Sequence, residues 1–407
     1  MEISFLGGAS EVGRLGMLLR HQGITLLFDY GVQPADPPVY PMEAPPVDTL
    51  FLSHSHLDHC GMIPVVSRRS ETDVLMTPVT TAVTNILLED SIKVSKIEGF
   101  PQPFSKLDIR TMNSNVLPIG YGDTIEIGGF QVGVHSAGHI PGSSMFEIRG
   151  SQTLLFTGDL QTIDTRLVRG ARPVGCDVLI IESTYAGRFH PDRAVTEEAF
   201  LKKVQDVVER GGVALVPCFA VARTQEILMV LSEMDFDVWL DGMGRGVSQV
   251  YLRHPGFLRS VKEMRNAFGR SRIIRSHHGR EKALQGEVIV TTSGMLSGGP
   301  ALFYLDRLKD DPRNAVILTG YQVEGTNGRS LLEESLIEIH GARTKVTCEV
   351  AYYDFSAHAD HKDLVSFVEG CDPSTVVLMH GEAREELTGA LEGRECILPM
   401  EGERHSF

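Results

Sequence analysis

The segment that most constrains this chain is Ser53-His54-Ser55-His56-Leu57-Asp58-His59, which packs three histidines and an aspartate into six positions directly after the apolar run 49–53. Imidazole and carboxylate together are ligands for zinc, manganese and iron. In an extended turn His54 and His56 point the same way and can share one ion. Asp58 and His59, one turn further on, reach a second. Three more such residues close predicted strands: His139 in Ser136-Ala137-Gly138-His139, Asp159 in Phe156-Thr157-Gly158-Asp159 and His380 in Leu378-Met379-His380. Seven ligands with Asp159 shared suit a two-metal site, in which the ions stand roughly 3.5–4 Å apart with a hydroxide between them.

Composition removes other classes. With 407 residues, 42% hydrophobic and 22% charged, the chain has material for two or three ordinary globular domains, or for one domain carrying a large insertion. The formal net charge of −15 argues against a protein held on nucleic acid by diffuse charge. The first residues carry no basic and apolar signal pattern, and no apolar run approaches the roughly 18 residues of a membrane span. No membrane partner is expected on that ground, and the six cysteines, far apart without a Cys-x-x-Cys pair, read as reduced, mostly buried thiols of a cytoplasmic protein.

The first half reads as short strands over 1–6, 16–20, 24–28, 49–53, 124–127, 131–135, 144–149, 153–157 and 177–182, with a helix over 77–95. After about residue 187 helices (196–210, 222–233, 300–308) alternate with strands (213–217, 237–240, 287–292, 315–319). That rhythm predicts a parallel, doubly wound sheet. The tail predicts a strand over 346–353, a helix over 361–368, a strand over 375–379, a helix over 382–391 and a last short strand. It is too small to stand alone and completes the first domain. The expected organisation is therefore 1–187 joined with 346–407, interrupted by an insertion over 188–345.

His-x-His-x-Asp-His, then Gly138-His139, then Gly158-Asp159, resembles the metallo-β-lactamase fold. Glu182 in Ile180-Ile181-Glu182-Ser183-Thr184, His358 in Phe355-Ser356-Ala357-His358-Ala359-Asp360 and His380 in Met379-His380-Gly381-Glu382 are similar to motifs A, B and C of its β-CASP nucleases. Residues 217–223, 292–299 and 320–329 match landmarks of their insertion. The pattern is similar to archaeal relatives of the cleavage and polyadenylation specificity factor endonuclease and to RNase J-like nucleases, in a short form without RNA-binding KH domains. The resemblance implies an α/β fold: an αββα sandwich carrying an inserted, doubly wound parallel-sheet β-CASP domain.

It also implies roles. His54, His56 and His139 would hold one Zn2+, and Asp58, His59 and His380 a second, with Asp159 bridging. Asp29, in Leu27-Phe28-Asp29-Tyr30-Gly31, would support the ligand turn. The implied activity is zinc-dependent hydrolysis of RNA phosphodiester bonds by a hydroxide held between two metals. Asp58 would orient that hydroxide, His358 would be the general acid, and Glu182 would orient His358 and keep it protonated. Motif C is His in family members acting on RNA and Val in those acting on DNA, so His380 favours single-stranded RNA. A DNA-acting repair nuclease and a non-catalytic scaffold subunit of RNA processing are the alternatives. Scaffold relatives tend to lose ligands, and here every ligand position is filled. Endonuclease and 5′-3′ exonuclease both fit this scaffold, as does a homodimer.

The RNA phosphates need partners. Ser293 and Gly294, in a glycine-rich loop between a strand and a helix, offer backbone amides, and Arg223 and Arg329 are further candidates. Residues 186–350 hold 22 Lys+Arg against 21 Asp+Glu, net +1, and the remainder 16 against 32, net −16, which together make the −15. The insertion also holds the most basic stretch, 253–282, with nine Lys+Arg and two Asp+Glu. Arg259, Lys262, Arg265, Arg270, Arg272 and Arg275 are its core. They read as an RNA track or, more plainly, as a solvated helix face or oligomer contact. One Trp and nine Tyr give no evident stacking platform.

Overall fold

Alternation along the early strands decides the layering: in the strand Glu2–Gly7, Ile3 and Phe5 turn into one hydrophobic cluster and Leu6 into another. The computed structural model describes residues 1–69, 72–339 and 341–407. These form two units, one of Met1–Asp164, Val168–Phe189 and Ala357–Phe407, the other of Thr165–Leu167 and His190–Ser356.

In the first unit, one seven-stranded sheet runs in the order Arg404–Ser406, Glu2–Gly7, Gly16–His21, Ile24–Phe28, Thr49–Phe51, Asp73–Met76, Val116–Pro118. A second runs Glu395–Ile397, Thr375–Met379, Val178–Glu182, Thr153–Phe156, Ser144–Arg149, Phe130–Ser136, Thr124–Ile127. Their inner faces share a core in which Phe28 lies 5.1 Å from Phe51, 5.8 Å from Phe146 and 5.3 Å from Phe156, centroid to centroid. The outer face of the first sheet buries Leu18, Leu27, Leu50 and Val74 with Ile63, Val66, Leu88, Ile92, Ile109 and Met112 of its helices. The outer face of the second buries Leu155, Leu179, Ile181 and Leu378 with Leu364, Phe367 and Val368 of helix His361–Cys371. Helix, sheet, sheet and helix layers make the αββα sandwich.

The second unit carries a six-stranded, all-parallel sheet in the order Arg272–Ile273, Val238–Leu240, Val288–Thr291, Ala214–Pro217, Ala315–Leu318, Glu349–Tyr352. The last strand moves a boundary. Instead of returning to the sandwich from residue 346, the chain adds Glu349–Tyr352 beside Ala315–Leu318, and the unit runs to Ser356. Glu349 is held there by Lys203 and Arg210 at 2.5 and 2.7 Å. The helix expected over 382–391 is one turn, Glu385–Thr388, capped at Gly389. The basic stretch, left without elements in the sequence pattern, contains the helices Val261–Arg270 and His277–Ala283. Among the described residues no helix is long and apolar enough to cross a membrane.

Candidate metal centre

Parallel pairing brings the chemistry to one edge. Thr153–Phe156, Val178–Glu182 and Thr375–Met379 are parallel neighbours, with Phe156 opposite Ile180 and Glu182 opposite Met379. Asp159, Glu182 and His380 therefore leave the same end of the sheet, where loops of open α/β sheets bind ligands. The strand Thr49–Phe51 delivers His54 and His56, and the one-turn helix Leu57–Cys60 carries Asp58 and His59. His139 follows the strand Phe130–Ser136.

The structure groups all seven expected ligands into two sets, His54, His56, His139 and Asp159, and Asp58, His59, Asp159 and His380, which share Asp159. In the first set His56 Nδ1 lies 3.1 Å from both His54 Nε2 and His139 Nε2, and Asp159 Oδ2 lies 3.4 and 3.7 Å from those two nitrogens. In the second, Asp159 Oδ1 is 3.2 Å from His59 Nε2 and 3.6 Å from His380 Nε2, while Asp58 Oδ2 is 3.8 and 3.7 Å from the same atoms. Two ligand atoms about 2.0–2.1 Å from one zinc stand roughly 3.3 Å apart at the tetrahedral angle, so these separations fit a shared cation. His59 Nε2, His380 Nε2 and Asp159 Oδ1 are buried without a hydrogen-bond partner, a costly state that a cation relieves.

Charge agrees with this. Burial pushes His54 down to about 3 and His56 to about 4, and holds His139 well below its ordinary value, so all three are neutral ligands at pH 7. Burial would raise Asp58 and Asp159, but His59, which these carboxylates and Asp29 raise well above its ordinary value, outweighs burial and keeps both ionised.

Asp29 lies beneath the turn, fully buried. Its Oδ1 accepts the Ser53 N–H at 2.7 Å, and its Oδ2 accepts the Ser53 hydroxyl at 2.7 Å and His59 Nδ1–H at 2.7 Å. Ser53 Oγ, with its proton committed to Asp29, accepts from His54 Nδ1 at 3.0 Å. His139 Nδ1 donates to the Ala357 carbonyl at 2.7 Å. This network assigns the Nδ1–H tautomer to His54 and His139, fixes the proton on His59 Nδ1, and turns the Nε2 of all three towards the centre.

His358 Nδ1 lies 2.9 and 3.2 Å from the two oxygens of buried Glu182, and its Nε2 lies 3.9 Å from Asp159 Oδ2. Glu182 also accepts the Leu160 N–H at 2.6 Å and the Thr184 N–H at 3.3 Å. Burial lowers the His358 pKa, but Glu182 and Asp159 outweigh it and raise it to about 9.

The expected RNA contacts lie in the second unit and differ in availability. Arg223 is buried and donates to the Thr319 carbonyl. Arg329 pairs with Glu333 one helical turn away at 2.5 Å. Ser293 Oγ accepts the Ser297 N–H at 3.2 Å. Gly294 presses on the chain at Phe219, where a Cβ would stand 2.9 Å from the backbone nitrogen. Arg259 donates to the Thr165 carbonyl at 2.7 Å. Arg270 bonds the Ser232 and Met234 carbonyls and Asp235. Arg272 pairs with Asp237 at 2.6 Å and lies over the Trp239 ring. Lys262, Arg265 and Arg275 are exposed. Ser53, Leu160 and Gln161, all part of the site, give no signal in the sequence, because neither a serine nor a backbone amide announces itself by type.

An αββα sandwich with histidine–aspartate ligand sets at its strand ends defines a metal-dependent hydrolase. Residues 12–210 match the metallo-beta-lactamase superfamily, 224–331 the Beta-Casp domain and 343–393 a Zn-dependent metallo-hydrolase RNA specificity domain. The chain is 37% identical over 425 residues to "Probable RNase MJ4" of Methanocaldococcus jannaschii, covering 99% of each. It is 36% identical over 423 residues to "RNase aCSPSF2" of Saccharolobus solfataricus, covering 100% of this chain and 85% of that one. A crystal structure of a protein of unknown function from Enterococcus faecalis V583 aligns with a TM-score of 0.64 at 17% identity, covering 100% and 99% of the two chains, a likeness of fold. The chain belongs to the β-CASP family of the metallo-β-lactamase superfamily.

Proposed function

We propose that this protein is a two-zinc ribonuclease that hydrolyses phosphodiester bonds of single-stranded RNA in RNA processing or decay. The observation that carries the reading is the Glu182–His358 pair standing 3.9 Å from the carboxylate shared by both ligand sets. It sets an acid beside a place for two cations. His54, His56 and His139 would hold one zinc and Asp58, His59 and His380 the other, with Asp159 common to both. Zinc, when bound, supplies an activated water at neutral pH and offsets charge on the phosphoryl oxygens.

The remaining work falls to the chain. Asp58 has one edge open to solvent and can orient the attacking water. Glu182 accepts the hydrogen bond from His358 Nδ1–H, so the Nε2 proton is the one presented to the leaving oxygen. As a new P–O bond forms, the bond to the leaving strand breaks and its oxygen takes that proton. Without metal, Glu182 and then Asp159 outweigh burial and raise His358 to about 9, which favours the protonated ring this role needs.

A histidine at 380 favours RNA over DNA by the family resemblance, and the names of the two relatives support RNA. Complete ligand sets favour catalysis over a scaffold role. A cytoplasmic location and a homodimer complete the proposal, the second to be read by light scattering. The deciding experiment offers purified protein 5′-labelled and internally labelled RNA, as monophosphate and triphosphate, with and without chelator. Internal fragments identify an endonuclease; mononucleotides that require a 5′ monophosphate identify a 5′-3′ exonuclease. Chelator-resistant cleavage refutes the metal reading. His358→Ala should keep wild-type zinc content and lose roughly a hundredfold or more in rate; wild-type cleavage by this variant removes His358 from the mechanism.

A further inference from the structure

Each of the three residues Ala357, His358 and Ala359 is held by a backbone group. The Ala357 carbonyl accepts His139 Nδ1–H at 2.7 Å, and the Ala359 N–H donates to the Leu160 carbonyl at 2.7 Å. Between them, the His358 carbonyl accepts Gln161 Nε2–H at 2.8 Å. Gln161 is 1% exposed. Its own Oε1 accepts the N–H groups of Thr162 and Ile163 at 2.8 and 3.1 Å, so the amide orientation follows from its partners. Its backbone is fixed as well, donating to the Ala137 carbonyl at 3.0 Å and accepting from the Ala171 N–H at 2.7 Å.

We propose that Gln161 is a positioning residue for the acid His358: a side chain on the segment that follows Asp159 grips the His358 main chain and fixes the imidazole relative to the shared carboxylate. This rests on the proposed function. Glu182 fixes one ring nitrogen, and the bonds at Ala357 and Ala359 hold the main chain on either side of His358. The Gln161 bond adds an anchor at the His358 carbonyl itself, from a residue 197 positions away in sequence. A donor on a buried, doubly anchored amide suits this task better than an exposed side chain, because its own conformation has nowhere else to go. The same run splints both partners of the acid, since the Leu160 N–H holds Glu182 and the Leu160 carbonyl holds Ala359.

The test uses Gln161→Met, which keeps length and bulk and loses both the donor and the acceptor, and Gln161→Glu, which keeps an acceptor and loses the donor. On ordinary RNA, Gln161→Met should lower kcat about tenfold with KM unchanged. On RNA in which sulfur replaces the leaving bridging oxygen, a thiolate departs without needing a proton, and the deficit should shrink to within about twofold. A second readout needs no activity. In chelated protein, hydrogen exchange of a peptide covering residues 357–361 should quicken in both variants, with zinc content of the reloaded protein unchanged. An equal deficit on oxygen and sulfur substrates, or unchanged exchange, overturns the positioning role. If the wild-type protein leaves both RNAs intact, the proposed function itself has failed, and the exchange result still decides whether Gln161 holds this segment.

Discussion

A single buried carboxylate, Asp29, dictates which nitrogen two of the histidines present: directly for His59 and through the Ser53 hydroxyl for His54. Residues whose type announces metal chemistry were legible in the sequence, since a histidine or aspartate at a strand end has few other reasons for such density. Ser53, Gln161 and the Ala357 carbonyl were not, because they act through groups every protein carries. The buried imidazoles also make a prediction about the chelated protein. His54 and His56 titrate at about 3 and 4 when folded but near 6.5 when unfolded, so the unfolded chain takes up protons first as pH falls. Stability is lost from about pH 6.5 downward until the folded values are reached. His358, raised to about 9, acts in the opposite sense: its contribution is full below 6.5 and fades as pH rises towards 9. In chelator, Tm measured by scanning fluorimetry should fall by several degrees between about pH 6.5 and 5. The fall should be smaller in His54→Asn; equal slopes in the two proteins would show that His54 is not held neutral.

At the scale of elements, strands could be found by pattern but not their neighbours. The apolar run that becomes Glu349–Tyr352 announced a strand, yet nothing in it says which of two sheets it joins; Lys203 and Arg210, well over a hundred residues earlier, pair with Glu349 at its start. The run 382–391 looked helical because Leu387 and Leu391 are spaced for one buried face, and a single turn followed by Gly389 buries both. Close approach was equally invisible. At Gly31 a Cβ would stand 1.7 Å from the Asp58 carbonyl oxygen, so only glycine lets the ligand turn lie against the strand end. Gly31→Ala should cost about 1–3 kcal/mol and push the turn outward. Lower Tm together with zinc content below the wild-type value is expected; an unchanged zinc stoichiometry would mean that the turn has room to move as a body.

Across the whole molecule, the charge of −15 hides a nearly neutral insertion, and the structure narrows where RNA affinity can come from. All six cations of the predicted track are exposed, but Arg259, Arg270 and Arg272 spend hydrogen bonds on carbonyls or carboxylates of their own unit, so Lys262, Arg265 and Arg275 are the ones to test. Converting these three to Gln should weaken RNA binding and reduce the slope of log K against log salt by up to about 2, at roughly 0.7 for each phosphate of a single strand that is no longer neutralised. An unchanged slope assigns them to a solvated face.

The connectivity has a consequence for biosynthesis. His54, His56, Asp58, His59, His139 and Asp159 all leave the ribosome early, but His380 follows the strand Thr375–Met379, which pairs with a partner made almost two hundred residues before. His358, the proposed acid, arrives nearly as late. Until that returning segment emerges, one ligand set lacks a member and Glu182 has no imidazole to hold. A nascent chain therefore carries no finished cutting centre while the message that encodes it is still being translated within reach.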